Sequence, residues 1–153
     1  MDLPERFSTM PFADLVGVEV THAADGHAEG TVAMRAELSS IPGQMIAHGG
    51  VTYTLADTVG GAAVISRTLD VAPTIDMRID YVSPATTDIY AEAEVLRLGG
   101  NVGVADVLVT DADDHTVATA RGVYKTGGTG EGTPWGGGHL DQLGDAIPDD
   151  GDD

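Results

Sequence analysis

Two features of one short stretch carry chemistry between them. His48-Gly49-Gly50 opens a run of apolar and small residues that continues to Ile65, and Asp57 is the only charged residue inside it. A carboxylate in such surroundings costs free energy unless it is partnered or used. Used, Asp57 is a general base that activates water, or a direct nucleophile. Partnered, it is a structural acid satisfied by Arg67, Arg78 or a hydroxyl such as Thr54.

Gly49 and Gly50 supply a different capability. The first backbone N–H groups of a helix have no partner within it, and together with the positive end of the helix dipole they suit a developing negative oxygen. Glycine leaves those groups unshielded. The same two residues equally suit a tight turn. His48 stands just before them, where a histidine contacts ligand or caps the helix.

Spacing then constrains how the two features can act. Eight residues separate Gly49 from Asp57, about 12 Å along one helix. Side chains lean toward the helix N-terminus, yet one aspartate does not reach a carbonyl held at its own helix entrance. If both act on one bond, donor and acid come from different copies. Two antiparallel helices in a C2 dimer would bring Gly49 of one near Asp57 of the other, twice over.

These residues need a helix to hold them. The run from Gly50 to Ile65 is about 16 residues, too long for a strand and too short to span a membrane, so a mostly buried helix ending near Arg67 or Thr68 is expected. Gly60 and Gly61 inside it predict close approach of another backbone, from a sheet or a second copy of the helix. Before it, Pro4 to Asp14 reads as a short helix broken at Pro11, with Phe7, Met10 and Phe12 as its apolar residues. Val16, Val18 and Val20 alternate as a strand. Ala24-Asp25-Gly26 turns the chain into a second strand running to Leu38, a hairpin. A loop with Pro42 and Gly43 leads to the helix.

After the helix the period is two. Ile75, Met77, Ile79 and Tyr81 alternate with Asp76, Arg78 and Asp80, and Ser83-Pro84 ends that strand. Strands at Ile89–Leu98, Val102–Thr110 and Thr116–Lys125 follow as a meander with short turns. The expected fold class is α+β, an antiparallel sheet curled around one long helix. Ala33 and Val109, placed on the outer face, suggest that another subunit covers part of it. Residues 1–125 read as one domain, and 126–153 as a Gly- and Asp-rich disordered tail.

Composition excludes several functions. Seven basic against 25 acidic residues give a formal net charge of −18. Such a surface repels nucleic-acid phosphates and anionic lipid, so neither is an expected partner, and it suits high salt, where self-repulsion is screened. With no cysteine there is no disulfide, thiolate nucleophile or cysteine metal site. His22, His27, His115 and His139 show no ligand spacing, so no metal is expected. The acidic N-terminus lacks a signal peptide's basic start and apolar core, which predicts a cytoplasmic protein.

The His48-Gly49-Gly50 to Leu55-Ala56-Asp57 spacing, the strand Ile75–Tyr81 before Ser83-Pro84-Ala85, and Arg121–Lys125 resemble the hotdog-fold acyl-CoA thioesterases of the PaaI (phenylacetic acid degradation) type. The resemblance covers roughly residues 12 to 128. It implies hydrolysis of an acyl-CoA thioester to free acid and CoA at a dimer interface, with dimers commonly pairing into tetramers. It makes Asp57 the base or nucleophile and the Gly49 N–H, alone or with that of Gly50, the group that polarises the carbonyl across subunits. It implies no metal or other cofactor, coenzyme A being part of the substrate. Thr74 falls where relatives carry a Ser or Thr that helps place water; His48 and Tyr53 are further candidates for substrate contact. The family usually has Asn or Gln six residues before the histidine. Here that residue is Pro42, and Gln44 is the nearest amide. Arg97, Arg121 and Lys125 are the candidates for the CoA phosphates. A non-catalytic acyl-CoA or acid-binding protein is the alternative.

Overall fold

The computed structural model describes residues 2–135. Two short helices, α1 (Leu3–Ser8) and α2 (Pro11–Val16), precede a hairpin of β1 (Val18–Ala24) and β2 (His27–Val32). The long helix α3 (Gly49–Thr68) follows, and then β3 (Thr74–Tyr81), β4 (Ile89–Leu98), β5 (Val102–Asp111) and β6 (Thr116–Lys125). All six strands form one antiparallel sheet in the order β1-β2-β4-β5-β6-β3, with β1 and β3 at its edges. The sheet curls around α3, giving the expected α+β hotdog architecture. Among the described residues no helix is long and apolar enough to cross a membrane.

The helix is buried on most of its circumference: Leu55, Ala56, Val59, Ala62, Ala63 and Val64 have no exposed surface. They meet the inward residues of the sheet, such as Ala28, Ile89, Ala93 and Val109, which are equally buried. At about 25 cal/mol per Å² of apolar area, this contact dominates the stability.

Several expectations change in detail. The first helix is two, because Pro11 starts α2 rather than merely interrupting α1. Phe12 faces solvent, 62 % exposed, and Val16 closes α2 instead of opening a strand. Gly17 ends that helix in the left-handed region at φ +88°, so β1 begins at Val18. The second strand stops at Val32, six residues short of Leu38. Its partner β4 begins opposite at Ile89; beyond that point Asp88 Oδ1 accepts from the Met34 N–H, and the Arg35 guanidinium donates to the Leu15 and Val16 carbonyls. Tertiary bonds pull the chain off the sheet.

Val109 lies on the helix side with Gly103, Ala105 and Val107, so only Ala33 of that pair is exposed. Within the chain, what crowds Gly60 is the side chain of Tyr124, with the Val107 side chain also near, rather than the backbone of the sheet. Residues beyond Lys125 pack at first: Thr126 donates to the carbonyls of Asn101 and Gly99, and Thr129 is buried. The stretch expected to be a disordered tail lies outside the described residues from 136 onward.

Candidate active site

Asp57 sits half-buried near the middle of α3, on the side facing β3 and β6. Its carboxylate Oδ1 accepts a 2.7 Å hydrogen bond from the Thr74 hydroxyl, and its backbone carbonyl accepts one of 3.1 Å from the Tyr124 hydroxyl. Burial pushes the Asp57 carboxyl above the usual carboxylate range, and the neighbouring hydroxyls, Thr74 first and then Tyr124, partly oppose that. None of Arg67, Arg78 or Thr54 is its partner: the Arg78 guanidinium turns to Asp80, and the Thr54 hydroxyl donates to the Gly50 carbonyl.

A fault in the strand alternation aims Thr74. β3 pairs with β6 as Thr74↔Tyr124 and then Asp76↔Val123, leaving Ile75 as the extra residue of a bulge. Regular alternation with the buried Met77 would send Ile75 inward. The bulge sends Thr74 to the helix instead, and Ile75 is 57 % exposed. Thr74 and Tyr124 stand opposite each other and bracket Asp57. Gly60 and Gly122 give the Tyr124 ring its space, since a side chain at either position would overlap it.

The helix entrance is built separately. His48 is the N-cap residue, and its Nδ1 accepts the Gly50 N–H at 2.8 Å. Gly50 is thereby engaged. The Gly49 N–H has no acceptor among the described residues and remains the free donor. The Gly49 carbonyl accepts the Tyr81 hydroxyl at 2.7 Å. So the two ends of β3 touch the two halves of the motif, Thr74 at Asp57 and Tyr81 at Gly49.

Tyr53 lies between them on the same exposed helix face, one turn from each. Burial, then the Asp57 and Asp76 carboxylates, raises its hydroxyl above the ordinary value. A cavity of about 250 Å³ opens beside Asp57, lined mainly by apolar side chains from α1, α3 and the segment before β3. Gly49 and Tyr81 border a separate cavity, and His48 and Gly50 a third. One chain therefore does not bring Gly49, Gly50 or His48 to Asp57. Gln44 is in the loop before the helix, its backbone tied to Ile41 and Ser39, and shares no hydrogen bond with these residues.

Strand pairing assembles groups that sequence spacing separates. His27 Nδ1 lies 2.6 Å from Glu94 and its Nε2 2.9 Å from Glu29. His27, Glu92 and Glu94 have the spacing to hold a cation, as do Asp111, Asp113 and His115. Neither borders the Asp57 cavity. Of the candidates for CoA phosphates, Arg121 is held by Asp106 at 2.7 Å.

Residues 44–118 match the model of the thioesterase superfamily. A candidate esterase of Halobacterium salinarum is 38 % identical over 122 residues, 72 % of this chain and 80 % of that protein. The acyl-coenzyme A thioesterase PaaI of Escherichia coli is 31 % identical over 120 residues, covering 76 % and 84 %. The solved structure of that protein, from the phenylacetic acid degradation operon, superposes with a TM-score of 0.71, covering 83 % of this chain and 97 % of the other at 26 % identity. A Shewanella oneidensis structure related to the thioesterase superfamily gives 0.74 at 29 % identity, covering 82 % and 93 %. The six-stranded sheet curled around one central helix is the fold of these structures, and with the sequence identities the chain belongs to the thioesterase superfamily as one of its PaaI-type hotdog enzymes.

Proposed function

We propose that the protein hydrolyses an acyl-CoA thioester to the free acid and CoA, with each active site shared between two copies. Water attacks the thioester carbonyl carbon while Asp57 takes its proton, and the oxyanion that forms is held by the Gly49 N–H of the second copy. The C–S bond then breaks, and the CoA sulfur leaves with the proton that Asp57 held. Direct attack by Asp57 would pass instead through a mixed anhydride, which water opens.

The observation that carries this reading is the state of Asp57. It is a half-buried carboxylate with a raised pKa, held by a hydroxyl and no cation, beside an apolar cavity. Such a group is a stronger base than a solvated carboxylate, and a structural acid would have been paired. The sharing between copies is supported by the free edge of β3 and the exposed apolar residues around it, Tyr53, Ile75, Tyr81 and Val82. Pairing of two β3 edges would place the two helix faces together, and two dimers would make the tetramer common in the family.

Turnover of a panel of acyl-CoAs, with Asp57→Ala and Asp57→Asn as controls, tests the reading. The expected result is loss of at least about 100-fold in kcat with both variants. Full activity in either would remove Asp57 from the chemistry. Tight binding of acyl-CoA by the wild type without turnover would favour the binding-protein alternative, which Pro42 in the usual amide position makes specific.

A further inference from the structure

The segment matched to the superfamily, residues 44–118, contains Asp57, Gly49 and Thr74, but it does not contain the far walls of the cavity beside Asp57. Phe7 of α1 and Met10, the residue just before α2, form one wall, and Trp135 forms another. Trp135 lies ten residues beyond the last strand. Its segment returns to the body of the fold through the Thr126 bonds to Asn101 and Gly99 and through buried Thr129, with the Thr133 hydroxyl bonded to the Thr129 and Gly130 carbonyls. Trp135 is 45 % exposed, so it stands at the rim with part of its surface in water and part on the cavity.

The lining selects what enters. Tyr124, Ile65 and Val71 are apolar or mostly so, and the one charged group, Asp57, is an acid. Phosphates of CoA are repelled there, and an acyl group carrying its own carboxylate is too. A neutral, apolar acyl group fits. For scale, an apolar cavity of about 150 Å³ takes one benzene molecule of six carbons. In proportion, about 250 Å³ takes about ten carbons, the size of an arylacetyl or medium-chain acyl group. A long chain would have to pass the rim where Trp135 stands.

We propose that Trp135 is a specificity-determining residue: its side chain closes the cavity that receives the acyl group and limits that group to an aryl or medium-chain one. This rests on the thioesterase reading above. The selectivity then resides in the flanks of this chain, outside the segment that carries the chemistry.

The test is kcat and KM for acetyl-, hexanoyl-, phenylacetyl- and palmitoyl-CoA with the full-length protein in high salt, for wild type, Trp135→Ala and Met10→Trp. Wild type is expected to favour hexanoyl- and phenylacetyl-CoA over palmitoyl-CoA by about 10-fold or more in kcat/KM. Trp135→Ala is expected to raise the palmitoyl-to-hexanoyl ratio about 10-fold, and Met10→Trp, which fills the cavity from the opposite wall, to lower the phenylacetyl-to-acetyl ratio by a similar factor. Ratios within a variant compare substrates at equal folded fraction, so partial unfolding does not mimic the effect. An active wild type whose ratios neither variant moves would overturn the assignment of the cavity and leave the thioesterase reading standing. A wild type inert on the whole panel would overturn both.

Discussion

The Thr74 hydroxyl donates to Asp57 Oδ1 at 2.7 Å, tying the first residue of an edge strand to the middle of the central helix. This bond favours the ionised carboxylate and opposes the burial that disfavours it. Thr74→Val keeps the shape and removes the donor, so the Asp57 carboxyl should rise further. The acid limb of the kcat/KM profile should then move to higher pH, with a loss of about 10-fold at neutral pH. A pH–rate profile of the two proteins measures it; a reduced rate with an unmoved limb would show that Thr74 acts on geometry alone.

Asp57 also bears on stability. Its carboxyl is raised in the folded state, so in the window between the unfolded and folded values the folded protein binds more protons. Stability therefore falls as pH rises through that window, and the full cost is present above the folded value. Asp57→Asn removes the charge and should raise Tm at pH 7 by about 3 °C, with the gain vanishing at a pH below the ordinary carboxylate value. Thermal melts at the two pH values check both halves of the statement.

Adjacent glycines in the helix should behave oppositely. A methyl group at Gly60 would meet the Tyr124 hydroxyl and Val107, whereas at Gly61 it would only touch the Tyr124 ring at an ordinary 3.5 Å. Gly60→Ala should cost about 2–3 kcal/mol and displace Tyr124 from the Asp57 carbonyl. Gly61→Ala should be neutral or stabilising by up to about 1 kcal/mol through helix propensity. Denaturant titrations of the pair would decide it; equal effects would contradict the packing described.

A net charge of −18 sets a salt response. The ion pairs that salt would weaken, such as Arg121–Asp106 and Arg78–Asp80, are exposed and contribute little to stability. Repulsion among the excess acids acts over the whole surface and is screened as the Debye length falls from about 10 Å at 0.1 M to about 3 Å at 1 M. Relief of repulsion wins, and Tm should rise by on the order of 5 °C between 0.1 and 2 M KCl. Unchanged melting would argue against adaptation to high salt.

Much of this is legible in the amino-acid sequence. The helix carrying His48–Asp57 is readable because a long apolar run admits one answer, and β3 to β6 because their period is two with short turns between. Asp57 stood out by conflict with its neighbours. Other features depend on contacts between distant residues, which no local pattern reports. The second strand ends where Arg35 and Asp88 hold the chain. Ile75 faces out because of a bulge whose register is set by β6. The family resemblance implies only that Thr74 helps place water, and its bond to Asp57 depends on that bulge; Tyr124 is one more residue of a strand until the fold brings its hydroxyl to the helix. His27 meets Glu94 only because β2 lies beside β4. Trp135 gave no signal at all, being a lone aromatic in a Gly-rich stretch.

The distance along the helix from Gly49 to Asp57 has a genetic consequence. Gly49→Pro abolishes the free donor, and proline suits the first helical position after a residue as extended as His48, provided Tyr81 gives slightly. Asp57→Ala abolishes the acid. Each protein alone is expected to be dead. If the halves belong to different copies, a mixed dimer of the two unites an intact Gly49 with an intact Asp57 at one of its two sites. Co-expressing two inactive alleles would then restore activity, up to about a quarter of the wild-type level under random pairing.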